Sequence, residues 1–123
     1  MQGIRPSEEG GFERKNGIFF DFCSKARRSP DQQFVFIIDE INRGNISKIL
    51  GELMMLIEAD KRKKQYAIKL TYSNEDDERF FVPENVYLIG CMNTADRSLA
   101  IVDYALRRRF RFCPIKPEFN EAF

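Results

Sequence analysis

A run of five apolar residues followed by two acids constrains the fold of this chain more than any other feature of its sequence. The run is Phe34–Ile38, and Asp39 and Glu40 come directly after it. An uninterrupted apolar run of this length predicts a strand of a parallel sheet that is buried on both faces. The two acids would then lie at the carboxyl edge of the sheet, which is the edge where open α/β sheets bind their ligands.

Two adjacent acids at the end of a strand can serve nucleotide chemistry. One carboxylate can hold a hydrated Mg²⁺ against nucleotide phosphates, and the other can orient or deprotonate a water molecule. This is the Walker B pattern of P-loop NTPases. Two solvated acids after a core strand would have the same sequence, so this segment alone leaves both interpretations open.

Composition excludes several classes of protein. The chain has 123 residues, 43% of them hydrophobic and 32% charged, which is typical of one globular domain. Its net charge of +1 gives no basic field for nucleic acid. Because there is no histidine, Ser-His and Cys-His catalysis and the usual zinc sites are excluded. No apolar run reaches the roughly 20 residues of a membrane span, so we expect no membrane association.

The cysteines and the N-terminus favour a cytoplasmic protein. Cys23, Cys91 and Cys113 are far apart and odd in number, and each has apolar neighbours in the sequence. We therefore expect buried thiols in a reducing compartment rather than disulfides or a metal site. The first residues lack the apolar segment of a signal peptide.

Periodicity predicts two helices around the apolar strand. Residues 1–16 are polar and rich in glycine, which indicates a loop. Apolar residues recur at helical spacing over 17–28, before Pro30, and again over 46–57, with Asn45 as N-cap. Because a glycine inside a helix is unfavourable by about 1 kcal/mol, Gly51 predicts close backbone packing at that point.

The second half of the chain predicts a hairpin, a strand and a helix. Alternation over 66–72 and the segment Arg79-Phe80-Phe81-Val82, joined by the acidic stretch 73–78, indicate a β-hairpin. Residues 86–92 read as a second buried strand, and 98–109 as a helix capped by Ser98. A short strand could follow at 110–115. The basic run 61–64 reads as a solvated helix end, with a contact to phosphate or to a partner as the alternative.

The two predicted buried strands each end in polar residues that could face one ligand. Asp39 and Glu40 follow the first strand, and Asn93 follows the second. An amide both donates and accepts hydrogen bonds, so Asn93 could orient a water molecule toward a phosphorus atom without a change of charge.

Three arginines, Arg107, Arg108 and Arg109, end the last predicted helix. Arginine suits a planar, bidentate grip on phosphate or carboxylate. Successive helical residues point about 100° apart, so the three cannot all face one phosphate. One could pair with Asp103, and all three could instead complement the helix dipole and the solvent.

These motifs together resemble those of a known family. The residues from Phe34 to Arg43, the Met-Asn-Thr-Ala-Asp-Arg-Ser string at 92–98 and the stretch 102–110 are similar to the McrB-like AAA+ GTPases. These proteins are the GTP-hydrolysing subunits of 5-methylcytosine-specific restriction systems. The likeness covers residues 3–119, and the string at 92–98 is its most specific part.

The resemblance implies a role for each candidate site residue. Asp39 resembles the Walker B acid that holds Mg²⁺ through water, and Glu40 resembles the catalytic glutamate. Asn93 resembles the sensor-1 residue, which is both catalytic and nucleotide-binding. Arg108 or Arg109 resembles the arginine finger that reaches the nucleotide of a neighbouring subunit, and Arg107 is the weaker candidate.

The phosphate-binding motif of the family is missing from this chain. No Gly-x-x-x-x-Gly-Lys-Ser/Thr occurs, and Gly10 and Gly11 precede Phe12, Glu13 and Arg14, which do not form a phosphate cradle. The resemblance therefore implies the C-terminal half of an AAA+ large subdomain, with a P-loop upstream and a lid domain downstream. The fold class would be α/β: a partial P-loop NTPase fold with a parallel sheet, flanking helices and a β-hairpin insertion, without its first strand. Because an open sheet edge would result, we expect either that 110–115 is displaced or that the chain self-associates.

The resemblance also implies cofactors and partners. We expect Mg²⁺ with GTP or ATP, a homo-oligomeric ring, hexameric in this family, a McrC-like nuclease subunit, and DNA bound through other domains. The isolated chain should be inactive. Two alternatives stay open: a degenerate, non-catalytic AAA+ interaction domain, and an AAA+ ATPase outside restriction.

Overall fold

The computed structural model describes residues 3–6, 10, 12–75, 77–93 and 104–116 of the chain. Within these residues the strands form two separate two-stranded sheets. In chain order the elements are β1 (Gly3–Pro6), β2 (Phe12–Lys15), α1 (Ile18–Arg28), β3 (Phe34–Ile38), α2 (Ile46–Leu50), β4 (Val86–Gly90) and α3 (Tyr104–Arg107), with 3₁₀ turns at Gly51–Met54, Ala59–Lys61 and Lys64–Tyr66.

Strands β3 and β4 form the parallel sheet that the sequence predicts. They pair in register from Phe34 opposite Val86 to Ile38 opposite Gly90. Because the strands are parallel and adjacent, their carboxyl ends meet at one edge of the sheet. This pairing brings the residues after Ile38 and those after Gly90 to the same place.

Helix α1 covers one face of this sheet through aromatic contacts, and it confirms the helix predicted over 17–28. The ring of Phe19 lies 5.1 Å from that of Phe36, edge to face. The ring of Phe22 lies 5.8 Å from Phe34 and 5.1 Å from Phe36. Edge-to-face pairs of this kind add roughly 0.5–1.5 kcal/mol each beyond the burial of their area.

The opposite face of the sheet is exposed, so the prediction of burial on both faces is wrong for β3, and the prediction of a second buried strand over 86–92 is wrong for the alternate residues of β4. Val35 and Ile37 of β3 and Tyr87 and Ile89 of β4 are exposed. Side chains alternate between the two faces of a strand, and only the face toward α1 is covered by described residues. The apolar run correctly predicted a strand, but it did not determine how much of the strand is buried.

The N-terminal segment is a hairpin, so the loop predicted over 1–16 is wrong. Strands β1 and β2 pair antiparallel, from Gly3 opposite Lys15 to Pro6 opposite Phe12. Within β2, Lys15 Nζ lies 2.9 Å from Glu13 Oε1. Polar side chains on short strands left no hydrophobic alternation for the sequence analysis to detect.

The predicted helix over 46–57 is broken at Gly51. Asn45 caps α2 as predicted, since its side chain accepts from the Lys48 amide, but the α-helix ends at Leu50. Gly51 has a φ of +46°, and a Cβ placed there would meet nothing within 4 Å. The prediction of close packing is therefore wrong: this glycine supplies a left-handed backbone that ends the helix. The apolar spacing predicted burial, which Leu53 and Met54 retain.

The basic run at 61–64 is only partly solvated. Lys63 and Lys64 are exposed, as predicted. Arg62 instead turns inward, where Nε and Nη2 donate to the Ile57 carbonyl oxygen at 3.0 and 2.8 Å, and Nη1 donates to that of Val86. Burial lowers the pKa of Arg62. This residue is a structural bridge to the first residue of β4, which corrects the prediction for that position.

The predicted hairpin between 66 and 82 is reduced to one antiparallel bridge. Ile68 and Phe80 exchange both backbone hydrogen bonds, at 2.9 and 2.7 Å. Asp76, at the acidic tip, lies outside the described residues. Among the described residues, the expected insertion is therefore a loop whose two sides pair at Ile68 and Phe80.

The C-terminal part differs from the predicted helix and strand. Of the predicted helix 98–109, the structure shows Tyr104–Arg107 as helical, and 98–103, including the predicted cap, lies outside the described residues. Residues 111–116 are exposed and form no strand, so the predicted short strand is wrong. This exposure agrees with the alternative expectation that the segment does not pack as a strand of the sheet. Within the described residues, no helix has both the length and the apolar character needed to cross a membrane.

The cysteines follow the prediction at one position of three. Cys23 is buried, but Cys91 and Cys113 are exposed, so the prediction of three buried thiols is wrong for these two. Cys91 follows β4 at the open edge of the sheet, and Cys113 lies in the exposed C-terminal segment. Apolar neighbours in the sequence therefore did not imply burial in the fold.

Candidate functional site

The candidate site is the edge of the sheet where β3 and β4 end. Asp39 and Glu40 follow β3 there, and both are exposed. The backbone amide of Glu40 donates to Asp39 Oδ1 at 2.9 Å, which fixes the direction of the Asp39 carboxylate. Exposed carboxylates at this edge can meet a ligand that approaches from solvent.

The chain on either side of Glu40 is fixed to the neighbouring strand. The Cys91 amide donates to the Ile38 carbonyl oxygen, and the Ile41 amide donates to that of Cys91, both at 2.9 Å. Ile41 also packs on Gly90, where an added Cβ would lie 2.7 Å from Ile41 Cδ1. Glu40 has a φ of +48° between these two anchors. This left-handed backbone is unfavourable for a residue other than glycine, so the surrounding contacts must hold it.

Asn42 joins the two polar ends of the sheet. The residue is only 8% exposed. Nδ2 donates to the Asn93 carbonyl oxygen at 3.2 Å, although the two residues are 51 positions apart in the sequence. Among the described residues, Asn42 Oδ1 has no hydrogen-bond partner. The structure thus brings Asn93 to the same edge as Asp39 and Glu40, as the parallel pairing predicts.

The carboxylate of Glu40 is paired with Arg43, a contact that the sequence analysis missed. Arg43 Nη1 lies 2.5 Å from Glu40 Oε2, and the Arg43 amide donates to the Glu40 carbonyl oxygen at 2.8 Å. The hydrogen bond and the charge of Glu40 raise the pKa of Arg43. The sequence showed only a turn here, and a three-residue spacing between acid and base is too common to single out a pair.

The arginines at the end of α3 and directly after it have different surroundings. Arg109 is 12% exposed, and its Nη2 lies 2.5 Å from Glu58 Oε1. Its Nε donates to the Met54 carbonyl oxygen at 2.6 Å, and its Nη1 donates to that of Ala105 at 2.8 Å.

Arg108 and Arg107, by contrast, are exposed. The guanidinium of Arg108 lies 5.9 Å from the centre of the Tyr104 ring. Asp103, the acid suggested as a partner of Arg107, lies outside the described residues. Of these arginines, Arg108 is therefore accessible from solvent, whereas Arg109 already holds α3 against the preceding 3₁₀ turns.

The donor set suits Mg²⁺ held jointly with a nucleotide. Within the described residues, no group of three or more acidic, cysteine or histidine side chains could hold a metal by itself. Mg²⁺ usually keeps several waters and takes one or two carboxylates together with substrate phosphates. Asp39 fits that requirement, because the residue is exposed and its Oδ2 has no hydrogen-bond partner among the described residues.

Comparison with known proteins points to one family. The family model described as AAA domain (dynein-related subfamily) matches residues 1–110. The type IV methyl-directed restriction enzyme EcoKMcrB subunit of Escherichia coli K12 is 61% identical over 120 residues, which is 98% of this chain and 26% of that protein. The type II restriction enzyme BsuMI component YdiS of Bacillus subtilis 168 is 30% identical over 105 residues, which is 78% of this chain and 31% of that protein. The chain thus spans about a quarter to a third of the length of these relatives.

Proposed function

Since the chain belongs to the AAA domain family, in its dynein-related subfamily, we propose that it is the Walker B to arginine-finger half of a nucleotide-hydrolysing module. In this proposal the P-loop lies upstream and the lid domain downstream, in a longer protein. The high identity to a restriction subunit over nearly the whole chain supports this division, because the matched part is only 26% of that relative.

The observation that carries the proposal is the meeting of two polar strand ends. Asp39 and Glu40 end β3, and Asn93 follows β4 at the same edge, tied there by the side chain of Asn42. A carboxylate and an amide on neighbouring strand ends can hold one water molecule between them. Such a water would face a phosphate at the ligand-binding edge of the sheet.

Each residue has one task in the mechanism that we propose. Glu40 orients the attacking water and accepts its proton, and Asn93 holds that water toward the γ-phosphorus. Asp39 holds the hydrated Mg²⁺, which neutralises charge on the phosphates when it is bound. Because these side chains follow paired strands, their spacing is set before the nucleotide arrives.

A neighbouring subunit supplies the remaining positive charge in this proposal. Arg108 is exposed at the end of α3 and can reach outward without breaking a described contact except its approach to Tyr104. Arg109 would have to leave Glu58 and two carbonyl oxygens to do the same. We therefore place Arg108 first and Arg109 second as the finger.

The names of the two relatives suggest the biological system in which the parent protein acts. One relative is named a methyl-directed restriction enzyme subunit and the other a restriction enzyme component. We propose that the parent protein is a motor of a modification-dependent DNA restriction system in the cytoplasm. It would hydrolyse GTP, with ATP as the alternative, assemble into a homo-oligomeric ring, and act with a McrC-like nuclease subunit.

The proposal is tested by removing the charge of Glu40 in the full-length protein. Glu40→Gln keeps the shape of the side chain, so nucleotide binding should survive while turnover of GTP falls by roughly 10²-fold or more. Asp39→Asn should raise the Mg²⁺ concentration that hydrolysis requires. The matched control is Glu84→Gln, an exposed acid in the turn before β4, which should leave turnover unchanged. Normal turnover in Glu40→Gln would show that Glu40 is not the general base, whereas absence of nucleotide hydrolysis in the unsubstituted full-length protein would favour the non-catalytic interaction domain.

The finger is tested by mixing subunits. An Arg108→Ala subunit keeps its own Walker acids, and a Glu40→Gln subunit keeps its own arginines. At mixed interfaces an intact site is rebuilt, so part of the activity should return, because such arginines contribute roughly 10³–10⁵ in rate in related enzymes. If co-assembled mixtures recover activity with neither Arg108→Ala nor Arg109→Ala, the finger assignment is wrong.

A further inference from the structure

The turn after Glu40 contains a residue to which the mechanism so far assigns no role. We propose that Arg43 is a positioning residue that orients the Glu40 carboxylate for hydrolysis. The inference rests on the proposed function, because it assigns a helper to the proposed general base. Three observations on the turn support it: the anchoring of its backbone, the one-sided contact of the ion pair, and the exposure of both side chains.

Hydrogen bonds on either side of Glu40 fix the backbone of the turn, so the position of its carboxylate depends on the side-chain rotamer. Ile38 and Ile41 are held to β4 and its extension by hydrogen bonds, and the Arg43 amide closes the turn onto the Glu40 carbonyl oxygen at 2.8 Å. With φ at +48°, Glu40 projects from a backbone position that its neighbours fix. The rotamer of the side chain therefore decides where the carboxylate lies, and Arg43 is the group that contacts it.

The ion pair occupies one carboxylate oxygen and leaves the other available. Arg43 Nη1 contacts Glu40 Oε2, and within the described part of the chain no group contacts Oε1. A base that is oriented by a third group through one atom, and receives a proton on another, is the usual arrangement of an activated catalytic pair. Arg43 can hold the carboxylate plane while Oε1 receives the water proton.

Because both side chains are exposed, the ion pair should affect the rate of hydrolysis more than the stability of the fold. The side chains of Arg43 and Glu40 are 69% and 49% exposed, and exposed pairs add little to stability. A nucleotide bound at this edge would exclude water from the pair and strengthen its electrostatic attraction. The orienting effect should therefore appear in turnover, while the loss of Arg43 should leave the fold intact.

The test is a double-mutant cycle in the full-length protein, with steady-state GTP hydrolysis and binding of a fluorescent GTP analogue as readouts. Arg43→Ala should lower kcat roughly tenfold, a part of the 10²–10⁴ that general-base catalysis supplies, with binding of the analogue unchanged. Arg43→Lys should restore part of kcat, because it keeps the charge but not the planar fork. The matched control is Arg28→Ala, an exposed arginine at the end of α1.

The decisive comparison is between Glu40→Gln and the double variant. If Arg43 acts through Glu40, adding Arg43→Ala to Glu40→Gln should lower single-turnover hydrolysis by less than twofold. A further tenfold loss would overturn the inference, because Arg43 would then act on the nucleotide or another group. So would a kcat equal to that of the Arg28→Ala control, a raised kcat, or a loss of ring assembly on sizing in GTP. Full turnover in Glu40→Gln would refute the assignment of Glu40 as the general base, on which this inference rests. Absence of GTP hydrolysis in the unsubstituted protein would refute the proposed function itself, and both results are obtained before the double variant is measured.

Discussion

Replacement of Arg109 by alanine should destabilise the chain far more than replacement of the adjacent Arg108. The guanidinium of Arg109 makes three contacts with two parts of the fold. It pairs with Glu58 at 2.5 Å, and it donates to the carbonyl oxygens of Met54 at 2.6 Å and Ala105 at 2.8 Å. These contacts fasten α3 to the 3₁₀ turns that follow α2.

The size of the effect follows from the burial of the partners. Hydrogen bonds to charged groups contribute about 1.5–3 kcal/mol each, and loss of one member of a fully buried ion pair is unfavourable by about 3–5 kcal/mol. Arg109 is 12% exposed and Glu58 28%, so water can partly replace the lost contacts. We therefore expect Arg109→Ala to lower the free energy of unfolding by about 2–4 kcal/mol.

The assay is thermal unfolding of both variants in the same background. For a domain of this size, a loss of 1 kcal/mol lowers Tm by roughly 3–6 °C, so Arg109→Ala should lower Tm by about 6–24 °C. Arg108→Ala is the matched control and should change the free energy of unfolding by less than about 0.5 kcal/mol, because Arg108 is exposed. A Glu58→Gln variant completes a double-mutant cycle, in which the pair should show a coupling of about 1–2 kcal/mol.

Equal stability of the two arginine variants would refute the reasoning. It would mean that Arg109 spends most of its time away from Glu58 and the two carbonyl oxygens. If the predicted difference is found, a loss of activity in Arg109→Ala cannot by itself identify the arginine finger. The subunit-mixing experiment would then have to be interpreted from variants of matched stability.

Three further predictions concern the rest of the chain. Asn85 Nδ2 lies within 3.1 Å of three backbone carbonyl oxygens around the end of α1. Because Asn85→Asp replaces this donor by an acceptor, it should lower Tm more than Asn85→Ala does. A larger loss of Tm in Asn85→Ala would contradict this network. Burial raises the pKa of the Cys23 thiol to about 12, and its thiolate is therefore scarce at pH 8. Mass spectrometry after brief iodoacetamide treatment should show Cys91 and Cys113 alkylated and Cys23 not, whereas rapid labelling of Cys23 would show an open core. The isolated 123-residue chain should bind neither GTP nor ATP in Mg²⁺, since it contains no phosphate cradle, and micromolar binding in isothermal titration would disprove this.

Local sequence patterns were enough to predict the elements that build the candidate site. The apolar runs predicted β3 and β4 and their parallel pairing, because uninterrupted apolar runs are typical of parallel sheets. Helical spacing predicted α1, since its phenylalanines recur on one side. The polar residues after each strand then had to meet at one edge. This part of the fold depends on hydrophobic periodicity, which can be read directly from the order of the residues.

The same patterns failed where burial and backbone geometry depend on neighbours. The apolar spacing over 46–57 correctly predicted burial at Leu53, Met54 and Ile57, but Ile49 of the same pattern is exposed and Leu56 outside it is buried. The spacing did not predict the break at Gly51, because the left-handed φ there leaves no trace in the periodicity. The run in β3 did not reveal that Val35 and Ile37 are exposed. Polar β1 and β2 had no pattern to detect, and their pairing exists only when both strands are in place.

Only the tertiary structure decided which groups the polar side chains contact. Asn42 meets Asn93 across 51 positions of sequence, and Arg109 meets Met54 across 55. Arg43 turns back onto Glu40 because the hydrogen bonds on either side of Glu40 fix the turn. Side chains with several rotatable bonds take the partner that packing brings within reach, and the sequence alone does not specify that partner.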